Sequence, residues 1–293
     1  MARKNIFQLV EENYNIQDEI RKISKLFEEE YYFVIQYSNK TLYDMVEEYL
    51  FDDWKYRGTC LDIEEYLTRV DATLPAKGKI EETVIVNLLE ALENFIKLYK
   101  DKAEDLLASN NIKYYREFNT VFCVLMETLE KHMGLSKRKY KDRVVLYPKN
   151  APLEEVLNIL DDEDVQWELI RYAREDMTLT EKRKSLAYLA TNLYIEDDKE
   201  EKDTTIKSII EKAGNILNNL HIRHNNRTGK WENLVLKDIT SKEATILCDM
   251  VFNEMLTIVL LREHKQYNQT YQDFQKRQKK AKEQKKAEVK QDD

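Results

Sequence analysis

Glycine and proline are nearly missing from this sequence, with five and three residues in 293. Average usage would make these two roughly 12% of a chain, so tight turns must be few and secondary-structure elements long. That argues against sandwiches, barrels and propellers, whose many short strands need frequent turns. No stretch reads G-x-G-x-x-G or G-x-x-x-x-G-K-[ST], which argues against a doubly wound nucleotide-binding fold. Cysteine is also scarce. Cys60, Cys123 and Cys248 are odd in number, far apart and without a C-x-x-C pair, as expected of reduced thiols in a cytosol rather than a disulfide framework or a zinc site. The first six residues lack an apolar leader. The most apolar run, 250–261, is interrupted by Asn253 and Glu254 and is short for a bilayer span. The expectation is a cytoplasmic protein with no membrane partner.

What remains is 42% apolar and 35% charged, enough to bury a core within one large domain or two ordinary ones. The net charge of −8 means that the molecule as a whole does not attract phosphate backbones, so any such attraction must be local.

Apolar residues recur at helical spacing along most of the chain. Ile85, Leu88, Leu89, Leu92, Phe95, Ile96 and Tyr99 form one stripe, and Tyr115, Phe118, Phe122, Met126 and Leu129 a second on a helix expected over 112–133. Helices are also expected over 15–37 and over 41–56, the latter ending at Gly58. The fold class is therefore all-α, in two helical subdomains, with helix above roughly 60% of residues. Residues 1–135 make an N-terminal helical domain of unknown role. Residues 136–152 read as a basic linker carrying a short β-prone run, Arg143-Val144-Val145-Leu146-Tyr147, closed by Pro148. Residues 153–272 form a second bundle. In it, Ile206, Ile209, Ile210, Ala213, Ile216, Leu217 and Leu220 share one face of one helix. Ala244, Leu247, Cys248, Val251, Met255, Ile258 and Leu261 share a face of another, which begins at Ser241 as N-cap. Residues 273–293 are a basic tail, read as frayed helix or disorder.

Two of the four histidines, two arginines and two asparagines fall within the seven residues 221–227, between those two apolar helices. An imidazole moves a proton near neutral pH, and a guanidinium holds a phosphate and stabilises charge developing on it. Together they suffice for RNA cleavage by its own 2′-hydroxyl without a metal. The other reading is structural, with Arg223, Asn225 and Asn226 capping the preceding helix and His221 packed at its end.

The stretch Leu220-His221-Ile222-Arg223-His224-Asn225-Asn226, set between a long amphipathic helix and a long apolar one, resembles the C-terminal part of HEPN-like helical proteins of bacterial abortive-infection, or phage-defence, systems. The likeness covers about residues 150–270. It implies an antiparallel helical bundle, homodimerisation through that bundle, RNA as partner and metal-independent endoribonuclease activity with no cofactor. Active members pair an arginine with a histidine five to seven positions later. From Arg223 those positions hold Thr228, Gly229 and Lys230, so His224 or His221 would have to serve instead. The expected catalytic set is Arg223, His224, His221 and Asn226, with Arg227, Lys230 and Trp231 as nucleic-acid contacts. The alternative is a non-catalytic interaction or dimerisation module whose site is degenerate.

Three further features carry weaker expectations. Glu48 and Asp52, with Glu47 and Asp53, have the i, i+4 spacing that puts two carboxylates on one helix face, as a divalent metal would need. A solvated face accounts for them as well, and no metal is expected. Tyr114, Tyr115 and Trp231 stand near basic residues and could stack on unpaired bases, although helical-core spacing explains most of the eighteen tyrosines. The basic segment 137–143 and the tail could follow a phosphate backbone.

Overall fold

A computed structural model of the chain describes residues 13–35, 37–110, 113–114, 118–174, 177–193, 203–220, 222 and 239–289. Of these, 70% are helical. The chain divides between Lys149 and Asn150 into two compact units.

The first unit opens with α1 (Ile16–Glu29), whose N-cap Asn15 accepts a 3.0 Å hydrogen bond from the Gln17 amide. Asp18 and Glu19 complement the helix dipole in the first turn. Ile20, Ile23 and Phe27, spaced by three and four residues, form its buried face. The chain then turns extended at Glu30, because Tyr31-Tyr32-Phe33-Val34-Ile35 is an aromatic and β-branched run that favours a pleated surface over a helix. Strands β1 (Tyr31–Ile35), β2 (Ser38–Thr41) and β3 (Lys113–Tyr114) pair antiparallel in the order β2-β1-β3. The helix expected over 15–37 therefore stops at Glu29.

Thr41 next caps α2 (Leu42–Tyr49) in a capping box with Asp44. This helix ends at Tyr49, and a separate 3₁₀ turn, Lys55–Arg57, leads to Gly58 at φ 64°. Gly58 terminates that short turn rather than a helix running to residue 56. After α3 (Ile63–Arg69) comes α4 (Glu82–Asn110), on which all seven residues of the predicted stripe, from Ile85 to Tyr99, are buried. The helix expected over 112–133 is realised only in part, as a 3₁₀ turn Phe118–Thr120 and α5 (Phe122–His132). Its first residues go to β3 instead. The core of this unit is largely aromatic: Phe95 lies 5.9 Å from Phe27 and 5.4 Å from Trp54 by ring centroids, and Tyr99 lies 5.2 Å from Phe33 and 5.4 Å from Phe118.

The stretch read as a linker is a β-hairpin of this unit. Strands β4 (Leu135–Tyr140) and β5 (Arg143–Pro148) pair antiparallel across a two-residue turn at Lys141 and Asp142, with Lys141 at φ 53°. Helix α4 holds β5 by side chains. Asn94, 7% exposed, accepts from the Val144 amide at 2.9 Å and donates to the Val144 carbonyl at 2.8 Å. Glu90 accepts from the Leu146 amide at 2.7 Å. An inner strand edge has to find partners for its amides and carbonyls, and two polar residues one turn apart on α4 supply them.

The second unit is helical throughout its described residues. Asn150 caps α6 (Ala151–Ile159), with Pro152 in the first turn. It is followed by α7 (Glu163–Arg174), by α8 (Leu179–Asn192) behind a Thr178–Glu181 capping box, and by α9 (Thr204–Asn219) capped by Asp203. The last helix, α10 (Ser241–Val289), packs on α6, α8 and α9. Its N-cap is Thr240 rather than Ser241: the Thr240 hydroxyl accepts from the Glu243 amide at 3.2 Å, and the Glu243 carboxylate accepts from the Thr240 amide at 2.8 Å. Ala213 and Leu217 of α9 and Cys248, Val251, Met255 and Ile258 of α10 are fully buried. One stretch of α10 is long and apolar enough, by length and composition alone, to cross a membrane, and 44% of it is buried within the fold.

The expected helical class holds as a mainly helical protein, to which the first unit adds a three-stranded and a two-stranded sheet that the sequence reading lacked. The basic tail, read as frayed helix or disorder, continues α10 as far as Val289, which suits a run of Gln, Lys, Ala and Glu with no glycine or proline.

Candidate functional site

The expected working residues, His221, Arg223, His224, Asn226, Arg227, Lys230 and Trp231, lie outside the described residues, and so does Tyr115. The two ends from which that junction springs are described. At the α9 end, the Leu220 amide donates to the Ile216 carbonyl and the Ile222 amide to the Leu217 carbonyl, each at 2.9 Å. Leu217, Leu220 and Ile222 are 0%, 1% and 8% exposed. At the α10 end, the Thr240–Glu243 capping box is followed one residue later by buried Ala244. The Thr240 amide, and then its hydroxyl, hold the Glu243 carboxyl below its ordinary range. Both ends are therefore fastened by main-chain hydrogen bonds and apolar burial, and Arg223 directly follows a buried anchor.

Within the second unit, α7, α8 and α10 meet at a polar cluster. Tyr172 donates to Asp249 Oδ1 at 2.9 Å, and Lys182 donates to the same oxygen at 2.5 Å while its Nζ lies 5.2 Å from the Tyr172 ring centre. Tyr172 also stacks on Phe252 at 4.4 Å. Burial, then the Asp249 charge and hydrogen bond, push the Tyr172 phenol far up, so it stays a donor. Burial likewise raises the neighbouring Cys248 thiol to about 11, which leaves it unreactive at neutral pH. This cluster joins three helices, and burial keeps both its phenol and its thiol protonated.

In the first unit, α4, α5 and β4 bring together Glu93, Glu130 and Lys137. Lys137 Nζ lies 2.9 Å from Glu93 and 3.4 Å from Glu130. Glu130 is 6% exposed, and its Oε1 has no hydrogen-bond partner. Burial, then the nearby Glu93 charge, raise the Glu130 carboxyl to about 7. Burial pulls the Lys137 ammonium down, but its hydrogen bonds and charge interactions with Glu93 and Glu130 together hold it above its ordinary value. Within the basic segment 137–143, Lys137 is paired in this way, Asp142 pairs with Lys55, and the Arg143 guanidinium lies over the rings of Tyr56 and Tyr140, while Lys139 and Lys141 are exposed.

A cleft of about 620 Å³ in the same unit is floored by Phe27 and Leu88. Its cations are committed as well. Arg21 donates to the Pro75 and Gly78 carbonyls at 2.8 and 3.0 Å, and Lys25 pairs with Glu29 at 3.5 Å. Burial and the nearby Glu47 raise the Tyr43 phenol on its wall to about 12.

The carboxylates weighed for a metal are separated. Asp52 lies beyond the end of α2, so it does not share a helix face with Glu48. Glu48 pairs with Lys40 at 2.5 Å, and Glu47 accepts from the Ile63 amide at 2.9 Å, at the start of α3. No family model, curated protein or solved structure matches the chain.

Proposed function

We propose that this is a defence-type helical protein that binds and cleaves RNA without a metal, its second unit serving as a HEPN-like bundle and the α9–α10 junction as its working site. In this reading His224, or His221 in its place, takes the proton of a ribose 2′-hydroxyl. That oxygen attacks the adjacent phosphorus, the bond to the 5′-oxygen of the next nucleotide breaks, the imidazolium returns its proton to that departing oxygen, and the products are a 2′,3′-cyclic phosphate and a free 5′-hydroxyl. Arg223 stabilises the charge that builds on the phosphoryl oxygens, Asn226 orients the strand, and Arg227, Lys230 and Trp231 contact phosphate and base. The observation that supports the reading is the fastening of the junction at both ends. Ile222, the residue before Arg223 in the sequence, is 8% exposed and bonded to Leu217.

Incubating the purified full chain with labelled single-stranded RNA in EDTA and in magnesium tests it. Equal cleavage in both, abolished by Arg223→Ala and by His224→Ala with melting temperatures unchanged, is the expected result. Intact RNA in both leaves a second reading, which the presence of Thr228, Gly229 and Lys230 where the family carries its histidine favours: a module that binds RNA or dimerises without cutting.

A further inference from the structure

Beyond Glu263 every described side chain of α10 is exposed as far as Lys279 except Asp273, which is half-buried. On this projecting stretch three large side chains stand uncovered at i, i+4 and i+7: Tyr267, Tyr271 and Phe274, 67%, 59% and 53% exposed. Residues i, i+4 and i+7 lie on one side of a helix, so the rings form a single file rising by about 6 and then about 4.5 Å along the axis. Immediately after them, residues 276–289 hold seven lysines and arginines against two glutamates. A row of uncovered aromatics is costly in water unless something covers it, and the adjoining charge states what that something must be.

A second copy is a poor occupant. Parallel pairing in register would bring two strongly basic segments side by side, and antiparallel pairing about Tyr271 would set the lysines of one copy near Arg262 and Lys265 of the other. A lipid surface is poorly matched too. The apolar and cationic residues follow one another along the helix instead of occupying opposite faces, and between 275 and 288 the only apolar residues are two alanines. A single strand of nucleic acid has both required parts, unpaired base faces that stack on rings and a phosphate chain that pairs with lysine and arginine.

We infer that the projecting part of α10 is a single-strand RNA-binding arm, with bases stacked on Tyr267, Tyr271 and Phe274 and the downstream phosphates held by the basic segment 276–289. The inference rests on the RNA-acting reading of the protein and adds to it a surface separate from the α9–α10 junction. The arm holds the strand by stacking and charge, so it takes many sequences. It prefers single strands over duplex, whose bases are already stacked.

The test is fluorescence anisotropy of the full chain with a labelled twelve-nucleotide RNA, across a salt series and in EDTA. Replacing the three rings together, Tyr267→Ala/Tyr271→Ala/Phe274→Ala, should weaken binding at least about tenfold with little change in the salt slope. Replacing Lys279, Lys282 and Lys285 together by Gln should flatten the slope of log K against log salt by about 2. Arg223→Ala/His224→Ala should leave affinity within about twofold while removing cleavage, so a wild type that binds RNA without cutting it, or a variant that still cuts, counts against the catalytic reading alone. Wild-type affinity in the ring variant overturns the arm, and cutting that persists in that variant leaves the junction reading standing. Two further results also overturn the arm: binding to vesicles containing phosphatidylserine in place of RNA, or an equilibrium dimer that the ring variant abolishes.

Discussion

The first and second halves of α10 run along one axis and face opposite surroundings. From Ala244 to Val259 the helix buries Cys248, Val251, Met255 and Ile258 completely, against α6, α8 and α9. From His264 onward it buries nothing completely among its described side chains, yet it keeps three large rings. Helical spacing of apolar residues is common to both halves, so spacing alone does not distinguish a core face from a docking face. What separates them is whether another element of the chain covers the stripe, and for the second half none of the described elements does.

Substitutions on the two halves should part sharply. Met255→Ala removes a fully buried side chain and should cost about 2–5 kcal/mol in chemical denaturation, with Leu217→Ala on the facing helix α9 in the same range. A cost below about 1 kcal/mol at either position would mean that the first half of α10 is not core.

The next effect belongs to the first unit and depends on pH. Glu130 holds its proton more tightly in the folded protein, to about 7, than in an unfolded chain, where the ordinary value is 4.5. Between those values the folded state carries a proton that the unfolded state has lost. Its contribution is therefore fully present on the acid side and is lost as pH rises through about 7. The urea midpoint of the wild type should fall over that window, and Glu130→Gln should flatten the fall. An identical slope in the variant would remove Glu130 as its cause.

Tyr172→Phe deletes the hydrogen bond to Asp249 while keeping the stack on Phe252, and should cost about 0.5–1.5 kcal/mol. No loss would mean that the cluster joining α7, α8 and α10 is held by packing alone. The smallest effect is expected on the projecting arm, where replacing the three exposed rings should change stability by less than about 0.5 kcal/mol. A larger loss would show that the rings pack against the fold.

The same contrast explains what could be read from the sequence. The stripe Ile85 to Tyr99 and the faces of α9 and α10 were legible because each is long, periodic and free of glycine and proline. The sheets were not. Tyr31 to Ile35 continues an apolar helical pattern and differs only in β-branched and aromatic content, and the β4–β5 turn is made by Lys141 and Asp142 without the Asn-Gly that marks such turns. The hairpin's attachment was hidden in two polar residues of an apolar stripe, Glu90 and Asn94, whose role depends on a strand more than fifty residues away. Of the candidate site, the sequence marks the residues, and the structure describes the anchors on either side of them. The exposed file of Tyr267, Tyr271 and Phe274 has a visible i, i+4, i+7 signal, but it lies across the boundary at 272 between the expected bundle and its tail and was divided by it.

We propose that the protein acts on RNA and that α10 passes from core to RNA-binding arm near His264. Comparing the full chain with one ending at Lys265 tests this directly, by melting and by single-stranded RNA affinity at low salt. The account predicts the same cooperative melting transition in both, with RNA affinity lower by about a hundredfold in the shortened chain, since stacking and charge are lost together. Equal RNA affinity in the two chains would contradict it, and so would loss of the melting transition in the shorter one.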